Sequence, residues 1–357
     1  MSSSSNRRVL ALDGARALCI LSVLFAHASG TGVIPITRLM KPAGDLGVRG
    51  FFVLSGFLIT GLLLRDDGRP LGLAMRDFYV RRALRIFPAF YVFIAGVLVL
   101  ASFGLATWSS HDALFAATYS MNFHGERVWS LGHLWSLAVE EQFYLLWPAI
   151  LLALRPRRAT SALVAAVVLA PLVRLAVFYL WPAQRALTDQ AFPCVFDALA
   201  TGCLLAMFRK PLERDPRYMA MLTSRGFWLI PLLCIATLVI THPSVQLGIS
   251  PTLANFGVAL AIHRLLSVRT FATRMLETPV LVKIGVLSYS IYLWQQVFLD
   301  RHWPLWFHRF PINVVFAVLA GAASYYLVER PFLRLTSRFR APRTSHVPDA
   351  IAPAYSA

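Results

Sequence analysis

The sequence predicts an all-α, polytopic membrane protein of about ten transmembrane helices, and three observations carry that prediction. The 357 residues are 57% hydrophobic and only 14% charged, with a mean hydropathy of +0.62, far too apolar for a water-soluble domain. Apolar runs of ~20 residues, the length that crosses a bilayer core as helix, recur from one end of the chain to the other. Lys and Arg fall between those runs and alternate in abundance, which distinguishes the two membrane faces.

Taken in order, the runs predict spans at about 15–33, 46–65, 86–106, 135–154, 161–181, 190–208, 226–242, 249–267, 280–299 and 311–328. With the N-terminus in the cytoplasm, that side carries 25 Lys and Arg. The opposite side carries six: Arg38, Lys41, Arg127, Arg185, Arg301 and Arg309. This bias places both termini in the cytoplasm. The stretch His111 to Phe123 is moderately apolar but too short for a span, and an eleventh crossing there would invert the charge balance, so 109–133 is read as re-entrant or interfacial. Arg7, Arg8, the following apolar run and Ala26-His27-Ala28 mimic a signal peptide, but Asp13 and Arg16 interrupt its core and a retained helix is expected. One membrane domain over 1–340 and a disordered cytoplasmic tail over 341–357 complete the organisation.

The net charge of +17 does not indicate nucleic acid, because its 34 basic residues form no aromatic-interleaved or amphipathic cluster. Cys19, Cys194, Cys203 and Cys234 lie inside apolar runs without metal-ligand or disulfide spacing, so no metal is expected and they read as small buried side chains. Neither a Walker-type phosphate loop nor a GxSxG elbow is present.

The chemistry should reside in the few ionisable groups within spans, since each costs a few kcal/mol and usually faces a cavity or partner. In the topology above, His27, Glu140 and Glu141 come to one depth in the outer half of the membrane, where Arg49, Arg174, Asp197, Asn255 and Gln295 also fall. A polar chamber open to the exterior follows. Arg16 and His27 are eleven residues apart, which on a helix puts them on nearly one face and ~16 Å apart in depth. That separation suits a long cofactor arm with its charged end near the cytoplasm. Imidazole is tuned to take a hydroxyl proton near neutral pH, and a carboxylate on its other nitrogen would orient it; Glu140 is the expected partner. Ser136, Glu140 and Tyr144 share a face, with Glu141 rotated ~100° away. Arg81, Arg82 and Arg85, ahead of Pro88, suit bidentate phosphate contacts, and read equally as lipid-headgroup anchors. Gly47, Gly50, Gly56 and Gly61 interrupt the apolar surface of the second span, for close helix packing or for passage of a cofactor arm.

At these residues the chain resembles the bacterial acyltransferase-3 membrane family. The resemblance is carried by LDGARALCILSVLFAHA at 12–28, GVRGFFVLSGFLIT at 47–60, FYVRRALRIFPAFY at 78–91, LWSLAVEEQFYLLWP at 134–148, FDALATGCLLA at 196–206, SYSIYLWQQ at 288–296 and VERPF at 328–332. It implies a bacterial inner-membrane O-acyltransferase using acyl-CoA, most commonly acetyl-CoA, and a cell-surface or exported glycan as acceptor. It also implies a family Arg-x10-His motif at Arg16 and His27, an RxxR element at Arg82 and Arg85, and a functional Glu at Glu140. Glu141, Tyr144, Asp197 and Gln295 are the expected acceptor-side residues. The family commonly has His where this chain has Gln295, so a second catalytic histidine is not expected there. Members with a fused extracytoplasmic esterase-like domain pass the acyl group on; this chain is expected to acylate its acceptor directly or hand the group to a separate protein. Membrane lipid and a second copy of the chain are further expected partners. The competing readings are acylation of a small secreted compound such as an antibiotic sugar, and transport or flipping of a glycan.

Overall fold

The computed structural model describes residues 2–32, 37–64, 70–154, 156–302 and 305–336; the expected tail at 341–357 lies outside the described residues. All regular structure among them is helical. The long helices are α1 (Ser2–Ala28), α2 (Met40–Leu63) and α3 (Leu71–Ser102), followed by the short α4 (Ser110–Ala117). Then come α5 (Leu134–Ala153), α6 (Pro156–Leu180), α7 (Phe192–Arg214), α8 (Ser250–Ser267), α9 (Pro279–Phe298) and α10 (Ile312–Ser324). Among the described residues, seven segments are long and apolar enough to cross a membrane, and an eighth counts if the bent pair Pro216–Thr223 and Arg225–Val239, which meet at 77°, is one span. Both α5 and α9 have 20 residues, enough to cross, but lie outside that set because they carry the polar groups of the centre.

One difference from the sequence reading has a physical cause. The expected seventh span is not one regular helix: an eight-residue α-helical centre, Leu229–Ala236, is flanked by 3₁₀ turns, which leaves Arg225–Val239 shorter than a bilayer requires. Between α3 and α5 the chain forms α4, a 3₁₀ turn at Met121–Phe123 and a single helical turn at Trp129–Gly132, none of crossing length. Ser109 caps α4 by accepting the Asp112 N–H, and Asp112 Oδ2 accepts the Val128 N–H at 2.6 Å. That bond ties the outgoing strand of the loop to the helix and fixes the residues on either side of Val128.

Helix α1 packs between α2 and α9, α2 packs along α7, and α9 along α10. The α2–α7 crossing is close because each helix offers a glycine to the other's backbone: a Cβ on Gly56 would overlap the Leu199 carbonyl, and one on Gly202 the Val53 carbonyl. Nearby, Asp197 is fully buried and accepts from Arg174 Nη1 at 3.0 Å and Thr252 Oγ1 at 2.6 Å, with Arg49 Nη1 at 3.8 Å. Arg49 also donates to Asn255 Oδ1, and Arg174 to the carbonyls of Leu247, Cys194 and Gly248. These groups were expected to line the polar chamber. Instead they join α2, α6, α7 and α8 in a buried ion network, because burial of one charge among apolar helices demands its counter-ions at the same depth.

Candidate active site

Helix α1 carries Arg16 and His27 on one face, as their spacing predicts, but the two side chains reach two different cavities. His27 opens into an outer cavity of about 510 Å³, walled by α1, α2, α9 and the 125–133 segment. Arg16 reaches an inner slot of about 80 Å³ with Arg82, Arg85, Glu140, Glu141 and Tyr144. Val48 and Tyr292 line both, so the two spaces share a wall only one side chain thick.

The inner slot gathers six of the residues expected from sequence. The Ser136, Glu140 and Tyr144 face points into it, and Glu141 also reaches it from the adjacent position. Ser55 Oγ donates to Glu140 Oε1 at 2.7 Å, and Tyr144 Oη donates to Ser55 Oγ at 3.1 Å. The Arg82 guanidinium stacks 3.7 Å over the Tyr144 ring, leaving its edges to bond elsewhere. Arg16 lies 3.6 Å from Asp13, one turn before it. Arg81 does not line the slot, since it sits ~100° round the helix from Arg82.

The expected pairing of His27 with Glu140 is corrected. His27 Nδ1 contacts Gln295 Oε1 at 2.8 Å, and Gln296 Nε2 lies 3.5 Å from His27 Nε2. With Gln295 Oε1 as acceptor, Nδ1 carries the hydrogen and Nε2 holds a lone pair, the form a general base requires. Glu140 is held by Ser55 on the far side of Val48 and Tyr292. An amide, that of Gln295, therefore contacts the imidazole where a carboxylate was expected. Asp197 lines neither cavity.

Several residues of the outer cavity were not singled out from sequence. His133, 2% exposed, places Nδ1 2.9 Å from Gln296 Oε1 and Nε2 3.0 Å from the Leu293 carbonyl, so Gln296 stands between the two imidazoles. Trp129 meets His27 edge-on at 5.6 Å and donates from Nε1 to the Gln296 carbonyl. Arg301 lies 5.1 Å over the same indole. The available signals were thin: His133 immediately precedes the block that contains Glu140, Gln296 follows Gln295, and Arg127 and Arg301 registered only as topology charges.

Among the described residues, His111, Asp112 and His124 alone bring ligand-type atoms within 4.8 Å of one another. Asp112 is already engaged there with His124 Nε2, Ser109 and the Val128 N–H, which makes the cluster a tether for the loop over the outer cavity.

Residues 9–329 match the family model described as an acyltransferase domain. The chain is 28% identical over 357 residues to the "Putative peptidoglycan O-acetyltransferase YrhL" of Bacillus subtilis, covering 91% of this chain and 55% of that protein. It is 28% identical over 353 residues to the "Peptidoglycan O-acetyltransferase OatA" of Listeria monocytogenes, covering 92% and 55%. It thus spans little more than half the length of these relatives. No solved structure matches the chain. A family match across almost every helix, with an oriented histidine and a cationic slot at its centre, shows that this chain belongs to the acyltransferase-3 family.

Proposed function

We propose that the chain is a multi-pass O-acyltransferase of the bacterial cytoplasmic membrane, taking an acyl group, acetyl in the simplest case, from cytoplasmic acyl-CoA to a sugar hydroxyl of a surface or exported glycan. The arrangement in this reading is ten spans with both termini inside. The observation that carries it is the pair of adjoining cavities: a slot rimmed by three guanidinium groups on one side, and a larger chamber containing an imidazole base on the other, divided by Val48 and Tyr292.

Arg16, Arg82 and Arg85 suit the phosphates of CoA, because a guanidinium offers paired donors to phosphate oxygens and keeps its charge when desolvated. At about 80 Å³ the slot is narrower than a pantetheine arm, so Tyr292 must swing aside for the thioester to reach His27. His27 Nε2 then takes the acceptor's hydroxyl proton as that oxygen attacks the thioester carbonyl. The C–O bond forms, the C–S bond breaks, and the imidazolium returns its proton to the departing thiolate. The Gln295 amide holds Nδ1–H throughout, and Glu140 with Ser55 and Tyr144 sets the polar wall of the slot. The names of the relatives support a peptidoglycan-type glycan as acceptor.

The test is His27→Ala in purified protein reconstituted in liposomes with acetyl-CoA. A drop in acyl transfer of ~10²–10⁴-fold, with membrane insertion and melting behaviour retained, is expected for loss of a general base. Full activity in that variant refutes the assignment, and a wild-type protein that consumes no thioester refutes the enzyme reading in favour of transport.

A further inference from the structure

The outer cavity holds more positive charge than its own residues neutralise. Three cations line it, Lys41, Arg127 and Arg301, against a single carboxylate, Asp45. Lys41 is satisfied: its Nζ lies 2.9 Å from Asp45 and 2.9 Å from Asp189. Arg127 and Arg301 have no ion-pair partner among the described residues, and Arg127 Nη1 and Arg301 Nε are buried without a hydrogen-bond acceptor. Burial pulls the Arg127 guanidinium below its ordinary pKa. A guanidinium that has lost part of its water without a direct ion-pair partner is costly, and such a cost persists in a cavity wall when a ligand removes it.

Their placement is not accidental to the fold. Arg127 immediately precedes Val128, whose N–H is fixed by Asp112, and Arg301 is stacked on Trp129, whose indole edge faces His27. Both guanidinium groups thereby line the same cavity as His27.

Resting on the acyl-transfer reading, we infer that the acceptor is an acidic sugar, whose carboxylate or phosphate is bound by Arg127 and Arg301 while a hydroxyl of the same molecule is presented to His27. A planar guanidinium pairs bidentately with either anion, and two of them bordering one chamber orient the ring that carries it. A neutral hexose would leave both cations unpaired and bind correspondingly worse.

The experiment uses the full chain in liposomes with acetyl-CoA and three acceptor probes: methyl glucuronide, glucose 1-phosphate and methyl glucoside. A kcat/KM at least tenfold higher for one or both anionic probes than for the neutral one is expected, and which probe leads tells carboxylate from phosphate. In Arg127→Gln and Arg301→Gln that ratio should fall toward unity through KM for the anionic probe. Should these variants fail to fold, competition in the wild type decides: glucuronate or inorganic phosphate should inhibit transfer to methyl glucoside, and glucose at equal concentration should not. Equal use of charged and neutral acceptors, or a preference untouched by both substitutions, overturns the inference while leaving the transferase reading intact. Absence of any thioester consumption by the wild type fails the transferase reading instead.

Discussion

A histidine in a membrane helix gains meaning from what holds its second nitrogen. His27 has an amide there, Gln295, and a neutral amide fixes the ring without adding a full charge to a half-buried site. Replacement by leucine keeps the volume and removes the acceptor, so Gln295→Leu should lower kcat by ~10–100-fold with little change in KM for acetyl-CoA, measured by thioester release under saturating acceptor. Equal loss in KM and kcat would show that Gln295 belongs to donor binding. The neighbouring Gln296 touches both His27 and His133, which makes the tandem glutamines a bracket on His27. Spacing alone could locate His27 and Arg16, since a helix converts eleven residues into one face. It could not choose between Glu140 and Gln295 as partner, because both sit at similar depth on helices whose rotation about their axes is settled only by packing.

At the scale of helices, the close α2–α7 contact and the Asp197 network do the same work by different means. Glycines at the crossing let backbones touch, and the buried ions then lock the register of α2, α6, α7 and α8. Asp197→Ala would leave Arg49 and Arg174 facing each other without a counter-ion. Removing one partner of a buried pair costs ~3–5 kcal/mol, so the variant should show a clearly lower melting temperature in detergent and reduced membrane levels, with Asp197→Asn less affected. An unchanged melting curve would mean that the network carries no structural weight. The loop over the outer cavity is shaped by equally local chemistry, the Ser109 cap and the Asp112 to Val128 bond, and it delivers Arg127 and Trp129 to the chamber.

At the scale of the whole molecule, two cavities back to back through Val48 and Tyr292 would, on the proposed acyl-transfer reading, let a charged cytoplasmic donor and an exported acceptor meet without a continuous aqueous pore. The topology this requires is testable by labelling. The native cysteines are buried or half-buried, so a single added thiol reports its own side. A maleimide that does not cross membranes should modify Glu126→Cys in intact cells and Arg217→Cys only after the membrane is opened; the reverse pattern would turn the protein over. By itself the sequence determined that this is an all-helical membrane protein of its family, because hydropathy runs are local and lipid enforces them, and it marked His27, Arg16, Arg82, Arg85 and Glu140 as the polar groups that need a reason to be there. Only the tertiary structure decided that His27 contacts Gln295, that Glu140 lines the inner slot, that Asp197 ties helices together, and that Arg127 and Arg301 border the outer cavity. Those outcomes depend on which faces of non-adjacent helices meet, and a linear pattern of apolar and polar residues fixes depth and face but not the neighbour across the gap.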